Sequence, residues 1–189
     1  MAAVCDCFPE LKSVTDAREA RYRADPSKRA PEGPQSSLEV TVTSIGNLNE
    51  SVTTRNSGRQ FIISEPKHVG GLADAPTPLE YLLSGAVGCY AAVFAFYAAK
   101  MGVDYESFEA VARTNFDVRG HMMPDAPPSG FQKVTIAINV KSDASHEKLR
   151  EIERLALNGC PGIATLRDPV AVETTLTVTT ARPEAAAVA

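Results

Sequence analysis

The segment Gly70-Gly71-Leu72-Ala73-Asp74-Ala75-Pro76-Thr77-Pro78-Leu79-Glu80-Tyr81-Leu82-Leu83-Ser84-Gly85-Ala86-Val87-Gly88-Cys89, continued by an apolar run to Lys100, decides the fold. Its first half is rich in turn formers, and Thr77 then stands where a helix wants a side-chain oxygen to cap its free N–H groups. Pro78 follows at the first helical position, where its missing donor is harmless. Gly102 supplies the stop. Leu79 to Ala99 is almost wholly apolar, and about 20 such residues would cross a bilayer. The run is nevertheless rich in small residues (Ser84, Gly85, Ala86, Gly88, Ala91, Ala92), carries Glu80 and has no basic flank on its N-terminal side. A helix apolar all round then points to burial, wrapped by a sheet or by a partner subunit, with no membrane span.

Upstream, Leu38-Glu39-Val40-Thr41-Val42-Thr43 alternates as a half-buried strand should. A polar turn at Asn47-Leu48-Asn49-Glu50 follows, and Ser51 to Thr54 and Gln60 to Ile63 read as two strands joined around Asn56-Ser57-Gly58. Glu65-Pro66 ends this antiparallel meander, because proline has no N–H for the ladder. Downstream, Phe108 to Arg119 and Phe131 to Val140 read as two longer strands around the Pro- and Gly-rich stretch His121 to Gly130. Ala144 to Leu157 is an amphipathic helix with Leu149, Ile152, Leu155 and Ala156 as its apolar stripe. Asn158-Gly159 breaks it, Pro161 to Leu166 forms a short helix after Cys160, and Val170 to Thr180 alternates as a last strand. Strands in runs, separated by helices, predict an α+β fold with mixed or antiparallel sheets, and exclude a doubly wound nucleotide fold. Residues 1–37, with four prolines and many charges, read as an N-terminal extension carrying a short helix over Val14 to Ala24 outside the main core. Residues 38–180 form the domain and 181–189 a C-terminal tail.

The length of 189 residues suits one domain, and 44% apolar against 22% charged residues is enough to build a core. Lys and Arg number 19 against 23 Asp and Glu, a formal charge of −4 without a basic stripe. Nucleic acid is therefore excluded as a partner, because such binding draws on neutralised phosphates. The N-terminus lacks the basic-then-apolar pattern of a secretory signal, which leaves a reducing cytoplasm as the expected location. There is no phosphate loop, no dinucleotide fingerprint, no H-E-x-x-H and no G-x-S-x-G, and His68, His121 and His146 are too dispersed for a metal site. Cys5 and Cys7, as C-x-C without a matching pair nearby, cannot close a tetrahedral site alone. Chemistry is left to Cys89, in the middle of the apolar helix, and Cys160, at the start of a short one. A cysteine such as Cys89 is often a small buried apolar residue. Cys160 differs, since backbone donors at a helix N-terminus favour a thiolate.

The Gly70 to Cys89 run resembles the G-G-x-x-x-x-P-x-P-x-E-x-L-L-x-A-x-x-x-C signature of the OsmC/Ohr proteins, and Cys160-Pro161-Gly162-Ile163-Ala164-Thr165-Leu166 resembles that family's second signature, C-P-x-x-x-x-L. The likeness covers roughly Leu38 to Thr180. It implies antiparallel or mixed sheets around a long buried central helix, and an intertwined homodimer with two active sites between subunits. It also implies a thiol-dependent peroxidase without a cofactor. Cys89 would be the peroxidatic cysteine that attacks an organic hydroperoxide, and Cys160 would resolve its sulfenic acid as a disulfide, for reduction by a dithiol donor such as a lipoyl-protein. The family activates its cysteine with an arginine held by a glutamate. Glu80 matches the glutamate position. Nine residues of helix between Glu80 and Cys89 amount to about 900° and about 13.5 Å of rise, so within one straight helix the two face opposite ways and a shared site needs the partner subunit or a bend near Gly85 or Gly88. At the arginine position, on the turn between the first two strands, this sequence has Leu48, so Arg59 at the start of the third strand or Arg55 at the end of the second would have to supply the charge. The same fold without an activating cation predicts a binding module for a small apolar ligand, or a peroxide sensor that oxidises once without turnover.

Overall fold

The computed structural model describes residues 8–25, 36–123 and 125–179, which excludes Cys5, Cys7 and the tail from 181. An N-terminal helix α1 (Phe8–Ala24) precedes a three-stranded antiparallel meander, β1 (Val40–Gly46), β2 (Asn49–Thr54) and β3 (Gln60–Ser64). The long helix α2 (Pro78–Lys100) follows, then the antiparallel pair β4 (Ser107–Asn115) and β5 (Lys133–Lys141), and then α3 (His146–Gly159) and α4 (Pro161–Arg167). The class is α+β, as the strand and helix periodicities imply.

Local chemistry explains the boundaries. Asn47 and Leu48 both adopt left-handed φ values, 55° and 54°, so β1 and β2 are joined by a two-residue turn and β2 begins at Asn49, before the expected Ser51. The register runs Val42 to Val52 and Val52 to Phe61 across the meander. Glu65 donates its N–H to the Leu48 carbonyl (3.1 Å), and Ser64 donates to that of Pro76 (3.2 Å). The loop into α2 is thereby stitched to the sheet, and it can lie that close because Gly71 has no side chain: a Cβ there would stand 2.0 Å from the Glu65 carbonyl oxygen. Tyr81, one turn into α2, donates its hydroxyl to the Ile62 carbonyl (3.0 Å) and stacks on Phe61 at 4.7 Å. At the far end of α2, Gly102 takes φ 61° and Val103 donates to the Ala98 carbonyl, closing the helix. β4 stops at Asn115, short of the expected Arg119, because the Asp117 side chain accepts from the Arg119 N–H and nucleates a 3-10 turn over Val118–His121.

The core is built on one side of α2. Tyr90, Phe94 and Ala98 pack against Ile152 and Ala156 of α3, against Cys160 and Ile163, and against Val103 and Tyr105. The Phe94 ring meets Phe108 of β4 at 4.9 Å and Tyr105 at 6.0 Å. Burying each such side chain contributes about 1.5–3 kcal/mol. α2 is long and apolar enough to cross a membrane; it packs against α1, α3, α4 and β4 on one side, and within this chain it is not the helix buried all round that its composition leads one to expect. Its other face is bare in this chain: Leu82, Gly85, Gly88 and Ala92 are exposed.

Two expectations are corrected. The N-terminal helix is longer than Val14 to Ala24 and is not outside the core: Thr15 is buried, Leu11 packs on the core cluster, and Glu19 pairs with Lys100 of α2. Its sequence hides this because charged residues surround the few that touch α2. The expected last strand does not form in this chain. Residues 170–179 carry no regular secondary structure, and Val172 and Leu176 are 85% and 86% exposed. The alternation is real, but a strand needs a ladder beside it, and the segment finds none among the described residues.

Candidate functional site

The two cysteines, seventy-one positions apart, come together where α4 meets α2. Cys160 is the residue between α3 and α4, extended at φ −81° and ψ 117°, and its side chain is 1% exposed. Cys89 is half-buried on α2, at the border between the packed and the bare face, and both thiols are free. What allows the approach is Gly162. A Cβ there would lie 3.0 Å from the Cys89 Cβ and 3.1 Å from the Ala86 Cα, so the α4 backbone rests directly on the Ala86 backbone and the Cys89 side chain of α2. Ala86 and Gly162 thus set the spacing of the pair.

Burial pushes the Cys160 thiol above its ordinary value, and the neighbouring Cys89 pushes the same way, through a hydrogen bond that favours the protonated thiol and through the repulsion two adjacent thiolates would feel. The backbone N–H groups of Ile163 and Gly162 oppose the shift by favouring the anion, as expected of a cysteine at a helix start, although they do not close a formal side-chain cap. In the resting dithiol Cys160 is therefore held protonated, with two donors in place for the charge it would acquire. Tyr90, next to Cys89 in the chain, is 1% exposed, and its hydroxyl has no hydrogen-bond partner among the described residues.

Glu80 is placed away from this pair within the chain. It closes a capping box with Thr77: its carboxylate accepts the Thr77 N–H (2.8 Å) and hydroxyl (2.9 Å), while Thr77 Oγ1 accepts the Glu80 N–H (3.3 Å). The Thr77 backbone N–H is the main cause that lowers its pKa. Arg55 is paired with Glu39, the residue before β1 (2.5 Å), and Arg59 is exposed at the β2–β3 hairpin, where its backbone N–H donates to Thr54 Oγ1 (3.2 Å). Neither arginine is bonded to any described residue of α2. Leu48 occupies the β1–β2 turn in the left-handed conformation, its side chain near Gly70. The structure thus joins Cys89 with Cys160 and leaves Glu80, Arg55 and Arg59 elsewhere on the surface of the single chain. The close approach at Gly162 and the orphan hydroxyl of Tyr90 escaped the sequence reading. A glycine inside a short helix is a signal for the first; nothing in sequence marks the second.

Comparison with known proteins identifies the family and the fold. The family model "OsmC-like protein" matches residues 71–175, more than half of the chain, and spans both cysteines. No curated protein matches the chain. Among solved structures, it is similar to an OsmC-like protein from Mycoplasma pneumoniae (18% identity, TM-score 0.61, 71% of this chain and 89% of that one). It is similar to an OsmC-like protein of unknown function from Vibrio cholerae (17% identity, TM-score 0.58, 69% and 94% covered). An organic hydroperoxide resistance protein OsmC from Legionella pneumophila also matches (16% identity, TM-score 0.53, 71% and 91% covered). At these identities the likeness is one of fold.

Proposed function

The chain belongs to the OsmC-like family, and from that premise we propose that it is a thiol-dependent peroxidase that reduces organic hydroperoxides through Cys89 and Cys160. The observation that carries the proposal is the adjacency of the two thiols at the α2–α4 contact, with the backbone donors of Gly162 and Ile163 facing Cys160. Half-buried Cys89 is the attacking group and buried Cys160 the one that waits. The Cys89 thiolate attacks the outer oxygen of the hydroperoxide, the O–O bond breaks, the alkoxide leaves and takes a proton as the alcohol, and Cys89 becomes a sulfenic acid. Cys160 sulfur then attacks that sulfur, the S–S bond forms and the oxygen departs as water. Without the second thiol the sulfenic acid would proceed to irreversible oxidation. A dithiol donor, such as a lipoyl-protein, restores both thiols by exchange.

The reading includes a homodimer, because the single chain leaves three surfaces uncovered. β1 is exposed along its whole length, the alternating 170–179 segment has no ladder, and a Cβ on Gly85 or Gly88 meets nothing within 4 Å, so a partner helix could approach α2 closely there. Such a partner is also where Glu80, and a cation from Arg59 or Arg55, would meet Cys89. The test is consumption of cumene hydroperoxide with dihydrolipoamide as reductant. The wild type turns over, Cys89→Ser does not, and Cys160→Ser consumes about one equivalent and then over-oxidises. Turnover that survives Cys89→Ser sinks the assignment. A wild type whose thiols stay reduced under peroxide leaves the small-ligand-binding reading in its place.

A further inference from the structure

Helix α1 lies outside residues 71–175, which match the family model, and it adds a wall beside α2. Between the two helices is a cavity of about 500 Å³, bounded by Phe96 of α2 and by Arg18, Glu19, Tyr22 and Arg23 of α1. It stands in line with the half-buried thiol. Seven residues of helix separate Cys89 from Phe96, about 700° and about 10.5 Å of rise, so the two project within about 20° of one another, two turns apart. Ala92, between them, is exposed, so within the chain the way along α2 from Cys89 to the cavity is open and apolar. A partner helix seated on Gly85 and Gly88 would roof this path.

The cavity wall is positive. Its one carboxylate, Glu19, is engaged by Arg23 and by Lys100. Arg18 is exposed, and no carboxylate among the described residues pairs with it. Its Nε donates to the Tyr22 hydroxyl (3.3 Å) and its guanidinium lies over the Tyr22 ring at 5.7 Å, which holds the side chain at the cavity with its terminal N–H groups unbonded among the described residues. A planar guanidinium with two donors in hand suits a carboxylate. Building on the peroxidase reading of Cys89, we propose that Arg18 is a specificity-determining residue, which receives a carboxylate that the hydroperoxide carries about 10 Å from its peroxide group. Ala92 and Phe96 face the hydrocarbon between the two ends.

The probes are 9-hydroperoxyoctadecadienoic acid, whose carboxylate and peroxide lie about 10 Å apart when extended, and its methyl ester, which has the same chain and peroxide without the charge. Both are used below the concentration at which they aggregate, with the full-length protein and dihydrolipoamide as reductant. The acid should show a KM about three- to tenfold below that of the ester at similar kcat, as one exposed charge-assisted contact provides. High salt should shrink the difference. Arg18→Gln should bring the ratio of the two KM values to about one. Arg21→Gln removes an equal charge from an exposed position of α1 that does not line the cavity, and should leave the ratio as it is. Equal KM values in the wild type, or a preference that survives Arg18→Gln or is lost equally in Arg21→Gln, would overturn the role of Arg18; turnover of cumene hydroperoxide in the same samples would leave the peroxidase reading intact. Should no peroxide be turned over, calorimetry of laurate with the reduced protein decides the carboxylate site. Saturable binding that Arg18→Gln weakens and Arg21→Gln does not supports it, and absence of binding overturns it.

Discussion

Replacing Gly162 with alanine tests the contact on which the cysteine pair depends. Gly162 sits in the first turn of α4 with φ outside the left-handed region, so alanine is compatible with the backbone and, in an open helix, would stabilise by about 0.5–1 kcal/mol. Here the new Cβ would stand 3.0 Å from the Cys89 Cβ, 3.1 Å from the Ala86 Cα and 3.2 Å from the Ala86 carbonyl oxygen. Carbon atoms prefer about 3.5–4.0 Å, so α4 must withdraw by several tenths of an ångström. Overpacking of this kind costs about 1–3 kcal/mol, which outweighs the helix gain and leaves a net loss of about 1–2 kcal/mol. In a chain of this size that lowers the melting temperature by roughly 2–8 °C. The withdrawal also carries Cys160 away from Cys89, whereas a disulfide needs its sulfurs at about 2.05 Å, so disulfide closure should slow. The assays are thermal unfolding followed by circular dichroism, and quenched-flow alkylation of the thiols after one equivalent of hydroperoxide. Gly130→Ala, where an added Cβ meets nothing within 4 Å, is the control and should change neither. Gly162→Ala melting at or above the wild type, with disulfide closure at the wild-type rate, would refute the reasoning.

Other perturbations reach different parts of the account. Gly71→Ala drives a Cβ to 2.0 Å from the Glu65 carbonyl oxygen, so it should cost about 3 kcal/mol or more and release the loop that starts α2, seen as a large drop in denaturation midpoint. Thr77→Ala removes half of the capping box and should cost about 0.5–2 kcal/mol, with Glu80→Gln, which keeps an acceptor, costing less. Gly85→Ala distinguishes a bare helix face from a dimer seat. It should weaken the dimer in sedimentation experiments, whereas a gain of up to about 1 kcal/mol without effect on assembly would show the face to be free. Because burial holds the Cys160 thiol above 9.0, closure of the disulfide should accelerate about tenfold per pH unit from pH 6 to 8 as its thiolate fraction rises. The same raised pKa stabilises the fold fully below pH 9.0 and loses that contribution as pH climbs above it, so Cys160→Ser should flatten the alkaline limb of the stability profile.

How much of this was legible in sequence depends on whether the cause is local. The cap at Thr77, the stop at Gly102 and the alternation of β5 are determined by neighbours in the chain, and their positions came out within a residue or two. The amphipathic stripe of α3 likewise declared which side meets α2, and Ile152 and Ala156 are buried there as the spacing required. The docking of α1 was not legible, since it rests on Thr15, Leu11 and one ion pair from Glu19 to Lys100, partners that the sequence does not reveal. Residues 170–179 show the opposite failure, because their alternation records a preference for a ladder that no described neighbour in the single chain provides. At the site, the two signatures pointed to Cys89 and Cys160, and their adjacency follows from α4 resting on α2 through Gly162. Leu48 holds the turn where the resemblance places an activating arginine, and Arg55 is engaged with Glu39.

The central claim is that Cys89 and Cys160 form one redox unit, and mass spectrometry addresses it most directly. The fully reduced protein is given one equivalent of cumene hydroperoxide, quenched by alkylation, digested and mapped. A loss of two hydrogens from the intact mass and a single new linked peptide pair containing Cys89 and Cys160 are the expected result. Both cysteines recovered alkylated, while a control peroxidase in the same buffer is oxidised, would contradict it.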